Sequence, residues 1–207
     1  MSYSPQSFSL LPTGVKNLLI INVIFSLATY VLQETHIVNL YEFFALYPIG
    51  YGLFKPWQLI TYMFMHANLE HLIFNMFALW MFGYILENYW GLKRFLTYYL
   101  LCGIGAGLCS LLVGSSTVGA SGAVYGILLA FGMMFPNERI YLYFLVPIKA
   151  KWFVIGYGII ELLCGVATTG DNIAHFAHLG GMITGLIIIL LWRHNAKKKF
   201  QQRNEGF

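Results

Sequence analysis

Six apolar runs, each near the length that carries a helix across a lipid bilayer, take up most of this chain. They lie at roughly 17–33, 68–88, 95–114, 121–135, 152–168 and 174–192. A spanning helix needs about 20 mostly apolar residues, with about 17 as the lower end. Of the 207 residues, 58% are hydrophobic and only 10% are charged, against about 25% charged in a soluble domain. The mean hydropathy is +0.68. These values exclude a disordered chain, a coiled coil and a nucleic-acid binder, because the formal charge of +4 is not gathered into a patch. The three cysteines, Cys102, Cys109 and Cys164, lie in apolar runs. They read as small hydrophobes rather than as a disulfide frame or a zinc site. The expected fold is an all-α membrane protein with six transmembrane helices in one domain, 17–192. A short segment, 1–16, precedes it and a basic tail, 193–207, follows. No small-residue cleavage site follows the first run, which reads as a retained helix.

Lysine and arginine placement sets the orientation. With six spans both termini share one side. That side holds Lys16, Lys93, Arg94, Arg139, Lys149, Lys151, Arg193, Lys197, Lys198, Lys199 and Arg203, eleven of the twelve basic residues, and only Lys55 falls opposite. The bias predicts cytoplasmic termini and, with no further domain in view, a multi-pass protein of a bacterial-type plasma membrane. The tail's lysine run permits contact with anionic lipid.

The first outer link, 34–67, is rich in aromatic residues, among them Tyr41, Phe43, Phe44, Tyr47, Tyr51, Phe54 and Trp57. That composition marks a membrane interface, so the link is expected to lie in the membrane surface. The link 166–173 is small and polar and reads as a mobile outer cover. The fourth run is short. Fifteen residues rise about 22 Å, less than the roughly 30 Å hydrocarbon core. Its outer end must start below the surface, and the loop 113–120 must dip in to meet it. Irregular backbone at that depth survives only where protein buries it or water reaches it. A recessed, wet pocket with Ser121 at its floor follows.

Polar residues inside spans are costly and usually functional, and here they converge at that depth. Span two carries His71 and Asn75, four apart on one helical face. Span four opens with Gly119-Ala120-Ser121-Gly122, and Tyr125 is one turn on. Span six opens with His175 and His178, followed by Gly181 and Gly185. The small-residue pairs Gly122/Gly126 and Gly181/Gly185 allow backbones to approach closely. Packing spans four and six together would set the His178 ring beside the Ser121 hydroxyl, the arrangement in which a base activates a serine nucleophile. The Ser121 backbone N–H, at a helix N-terminus, favours developing negative charge.

In order and spacing these motifs resemble the rhomboid family of intramembrane serine proteases, over about residues 55–190. The carriers are His71-Leu-Ile-Phe-Asn75, Gly119-Ala-Ser121-Gly122 and Ala177-His178-x-x-Gly181-x-x-x-Gly185. The resemblance implies a six-helix rhomboid bundle and a dyad, with Ser121 as nucleophile and His178 as general base and acid. It implies an oxyanion site from the Asn75 side chain, the His71 ring and the Ser121 N–H, with Tyr125 packed on the His178 ring. It implies neither metal nor other cofactor, and no acidic partner for the histidine. One position departs from the family: Trp57-Gln58 stands where many members have Trp-Arg, which bears on the anchoring of the first outer loop more than on the chemistry.

The expected function is cleavage of single-pass transmembrane protein substrates at sites weakened by Gly or Pro, within the lipid membrane and without nucleic acid. The 166–173 link and span five together would form the substrate gate. Oligomeric state is not legible. His175, one turn before His178, reads either as a second base or relay, or as a residue capping the pocket or bonding a loop; the glycine spacing selects His178. His66 is expected to bond backbone, and Glu161 to accept hydrogen bonds from neighbouring helices rather than to act in catalysis. Two rivals stand beside this reading. A polytopic transporter would use the histidines as metal ligands, but it lacks paired broken segments in two halves. A non-catalytic relative would bind membrane proteins, yet both Ser121 and His178 are present.

Overall fold

All six prolines fall outside the apolar runs, so nothing in those runs removes a backbone donor from a helix. The computed structural model describes residues 8–35, 38–142, 145–167 and 172–205. Its α-helices are α1 (Thr13–Glu34), α2 (Leu40–Phe44), α3 (Gln58–Thr61), α4 (Leu69–Trp90), α5 (Leu92–Val113), α6 (Ser121–Met134), α7 (Ala150–Ala167) and α8 (Asn172–Glu205). Helices α1, α4, α5 and α8 are long and apolar enough to cross a membrane. With the 14-residue α6 and the 18-residue α7 they form the bundle of six. Apolar side chains face outward along it, Ile24 on α1 and Leu163 on α7 being more than half exposed. Only a lipid surround makes such surfaces stable. The chain is a multi-pass membrane protein.

The helix ends differ from the sequence reading in instructive ways. Helix α1 begins four residues earlier than expected. Its first-turn donors have no local cap; instead the Glu87 carboxylate of α4 accepts the N–H of Gly14 at 2.8 Å and of Val15 at 2.7 Å. A carboxylate there also meets the positive end of the helix dipole. Asn88 adds a two-way bond to the Ser9 backbone. Helix α8 continues unbroken through the basic tail as far as Glu205. The link between α6 and α7 holds an antiparallel hairpin not foreseen from the sequence, β1 (Arg139–Leu142) against β2 (Val146–Lys149), with Arg139 opposite Lys149.

Helices α5 and α6 both pack on α8, with α4 and α7 flanking α6 and α1 lying against α4. The core between them holds Leu79, Phe82, Ile127 and Phe131, with a Trp90–Tyr98–Trp192 cluster farther along. A Cβ on Gly181 would fall 1.9 Å from the Gly122 carbonyl oxygen, so α6 and α8 touch backbone to backbone. The other two glycines of the pairs serve α5. Gly126 faces Cys102 and Gly185 faces the Tyr98 hydroxyl.

The loop before α6 dips in as its length requires, and protein covers it. Thr117 and Leu46 exchange two backbone hydrogen bonds, at 3.1 and 2.9 Å, and the Gly119 N–H donates to the Tyr62 carbonyl at 2.9 Å. The first outer link supplies these partners. It places Tyr51 and Trp57 at the surface and buries Leu46, Tyr62, Met63 and Met65. Gln58, the departure noted above, is fully buried at its centre. Its Oε1 accepts the Lys55 N–H at 3.0 Å, and its Nε2 donates to the carbonyls of Leu53 at 3.1 Å and Glu42 at 3.3 Å. A neutral amide both donates and accepts, so the loop is anchored without a guanidinium. The loop expected at 166–173 lies in part, at 168–171, outside the described residues.

Replacing Gln58 by alanine leaves these buried backbone groups unpaired and is expected to lower stability by about 1–3 kcal/mol. Thermal unfolding in detergent micelles measures it. An unchanged midpoint would mean that the loop is held by its apolar side chains alone.

Candidate functional site

Ser121 is the first residue of α6, directly after the buried loop. Gly119 sits at φ +119°, a backbone angle that side chains oppose, and a Cβ there would lie 2.6 Å from the His71 ring. Glycine thus lets the chain turn into α6 while pressed against His71. The first hydrogen bond of the helix is made by the Val124 N–H to the Ala120 carbonyl. The N–H groups of Ser121, Gly122 and Ala123 therefore have no intrahelical acceptor.

Across the α6–α8 contact the His178 Nε2 stands 2.8 Å from the Ser121 Oγ. The ring lies flat on Tyr125, with centroids 4.1 Å apart and planes 8° off parallel. Asn75 is buried on α4, and its side-chain amide donates to the His71 carbonyl at 2.8 Å. Asn68 caps α4 by accepting the His71 N–H at 2.7 Å. Asn75, Ser121 and Tyr125 line one cavity of about 300 Å³, which continues between α4 and α7 past Phe74, Phe153 and Tyr157. The five residues singled out from the sequence, His71, Asn75, Ser121, Tyr125 and His178, are thus gathered at one place.

Three other polar residues, His66, His175 and Glu161, find definite partners. The His66 ring bonds a side chain rather than backbone, with Nδ1 3.1 Å from the Ser26 Oγ, while its carbonyl accepts the Tyr41 hydroxyl. Burial, and then the neighbouring His71, lower His66 to about 3, so its ring is neutral at ordinary pH. Among the described residues His175 pairs with an acid rather than a loop: its Nδ1 lies 2.6 Å from the Glu161 Oε2. Glu161 was expected to serve neighbouring helices, and it does so inside the site. Its Oε1 also accepts the Tyr125 hydroxyl, and its Oε2 stands 3.1 Å from the His178 Nδ1. That last contact is within ion-pair distance but out of line for a hydrogen bond, and among the described residues the buried His178 Nδ1 has no hydrogen-bond partner.

Glu161, His175 and His178 also offer three ligating atoms within 4.8 Å of one another. Two ligands at 2.0–2.2 Å from a tetrahedral zinc ion stand about 3.3 Å apart. The 2.6 Å between His175 and Glu161 is instead the spacing of a shared proton. The signal for Glu161 was available in the sequence as a lone carboxylate in an apolar span. What could not be read was its depth relative to the histidines.

With this geometry in place, comparison with known proteins is informative. The Rhomboid domain profile matches residues 53–195. The chain is 35% identical over 157 residues to RHOMBOID-like protein 6, mitochondrial, of Arabidopsis thaliana, covering 73% of this chain and 49% of that one. It is 37% identical over 133 residues to Rhomboid protease GluP of Bacillus subtilis, covering 62% of this chain and 24% of that one. Rhomboid-like protein 11, chloroplastic, of Arabidopsis thaliana is 29% identical over 203 residues, covering 86% of this chain and 65% of that one. The chain therefore spans between about a quarter and two thirds of the length of these relatives. A six-helix membrane bundle, the three motif-bearing helices meeting at one pocket, and a domain match across most of the chain agree: this protein belongs to the rhomboid family.

Proposed function

We propose that the chain is an intramembrane serine endopeptidase that cleaves the transmembrane segments of single-pass membrane proteins with a Ser121–His178 dyad. The observation that carries this reading is the 2.8 Å separation of the Ser121 Oγ from the His178 Nε2, with the ring fixed by Tyr125. A hydroxyl and a base within hydrogen-bond reach are what nucleophilic acyl transfer requires.

The reaction runs in two halves. The Ser121 Oγ bonds to a substrate peptide carbonyl carbon while its proton passes to the His178 Nε2. The carbonyl oxygen becomes an oxyanion, for which the Ser121 N–H, the second proton set of the Asn75 amide and the His71 ring are the donors at hand. His178 then returns the proton to the leaving amine and an acyl-enzyme remains. Water enters, loses a proton to His178 and adds to the ester carbonyl; His178 returns that proton to the Ser121 Oγ as the acid product leaves. The cavity between α4 and α7, lined by Phe74 and Phe153, is the path by which an apolar segment reaches Ser121 from the lipid. A regular helix shields its peptide bonds, so substrates carry Gly or Pro near the cleaved bond. The excess of basic residues on one side supports a topology with both termini in the cytoplasm and the pocket on the opposite side, and the membrane we assign is a bacterial-type plasma membrane.

In proteoliposomes with a single-pass substrate weakened by Gly and Pro, wild-type protein is expected to release a defined cleavage product. Ser121→Ala and His178→Ala are expected to lose activity by about 10³-fold or more. Equal cleavage by Ser121→Ala refutes the reading. Because His178 acts as base only when neutral, the wild-type rate falls as pH is lowered through its protonation. A rate that stays flat down to about pH 4 contradicts that role.

A further inference from the structure

We infer that Glu161 is a positioning residue for His178, holding its ring in the tautomer and orientation that the dyad needs; this rests on the serine–histidine reading above. For the His178 Nε2 to take the Ser121 proton it must begin bare, so the ring hydrogen must sit on Nδ1. That Nδ1 is buried and, among the described residues, has no hydrogen-bond partner. The Glu161 Oε2, 3.1 Å away, is the acceptor in reach. A buried N–H with no acceptor is costly, and the reverse tautomer would turn a hydrogen toward Ser121 and remove the base.

The carboxylate is itself held on both oxygens. Oε1 accepts the Tyr125 hydroxyl, and Oε2 accepts His175 Nδ1–H at 2.6 Å. Tyr125 therefore does two things at once: its ring supports the His178 ring from below, and its hydroxyl holds the carboxylate that faces the ring edge. The side chain of Glu161 is only 6% exposed, so its charge acts at short range with little screening. During the reaction the proton balance is simple. The Ser121 proton moves to Nε2 and later to the amine, Nδ1 keeps its hydrogen throughout, and Glu161 stays ionised while it stabilises the imidazolium. Among the described residues the titratable groups around His178 are Tyr125 on α6, Glu161 on α7, His71 on α4 and His175 on α8 itself. Helix α5 brings Cys109 against Gly180.

The test uses full-length protein in proteoliposomes with the weakened single-pass substrate, comparing wild type, Glu161→Gln and Glu161→Asp, with Ser121→Ala as blank. Glu161→Gln keeps shape but loses the charge and can present an amide N–H to Nδ1. We expect its kcat to fall about 100-fold with KM within about threefold of wild type. Its acid limb is expected to move to lower pH by about one unit, since the imidazolium loses its counter-charge. Glu161→Asp keeps the charge at shorter reach, and its kcat should drop about tenfold with the acid limb unmoved. Wild-type kcat and acid limb in Glu161→Gln overturn the inference and leave the dyad standing. Should Glu161→Gln fail to fold by thermal unfolding, Glu161→Asp decides, and a wild-type kcat there overturns it. If wild type cleaves no better than Ser121→Ala, the dyad itself fails and the inference fails with it.

Discussion

The approach of two helix backbones sets the distance on which the site depends. Gly181 on α8 rests on the Gly122 carbonyl of α6, and no residue with a side chain fits there. Apolar burial does not drive helices together inside a membrane, because lipid tails offer the same environment; close packing and polar contacts do. Once the backbones touch at Gly122 and Gly181, the neighbouring positions Ser121 and His178 are brought within one hydrogen bond of each other. The polar network at the top of the bundle, running from Ser121 through His178 to Glu161, His175 and Tyr125, spans three helices. It supplies a polar tie where hydrophobic matching cannot.

A second constraint fixes how deep the site lies. A 14-residue helix is too short to cross, so α6 begins beneath the surface, and the backbone feeding it must find partners there. The first outer link provides them through Leu46 and Tyr62. It is held in turn by Gln58 rather than by ion pairs. The link is therefore structural as well as interfacial: it plugs the loop that delivers Ser121. At the far end of the bundle Glu87 plays a comparable part, seating the start of α1 on α4 with a carboxylate.

Much of this was legible in the chain because membrane folding obeys strict rules. Apolar run length located the helix ends to within a few residues, except that α8 runs on through the polar tail to Glu205, since every backbone group in lipid must bond within its own segment. The shortness of the fourth run forced the recessed Ser121. The glycine spacing on the sixth picked His178 over His175. What escaped has physical causes too. The cap on α1 comes from Glu87, distant in sequence, and no local signal announces it. The hairpin of β1 and β2 is four residues a side, too short for its alternation to stand out between two apolar runs. Glu161 was seen as an acid in a span, but its rotation toward α8 depends on helix packing. The arginine absent before span two suggested a weaker loop, whereas the amide of Gln58 makes both donor and acceptor bonds that a guanidinium could not.

The central claim is that Ser121 is made reactive by His178 beneath the membrane surface. Covalent labelling by a fluorophosphonate, mapped by mass spectrometry on the intact protein in detergent, tests it most directly. The account predicts a single adduct on Ser121 in wild type, forming at least about 100-fold faster than in His178→Ala. An adduct elsewhere, or equal labelling of Ser121 with and without the histidine, would contradict it.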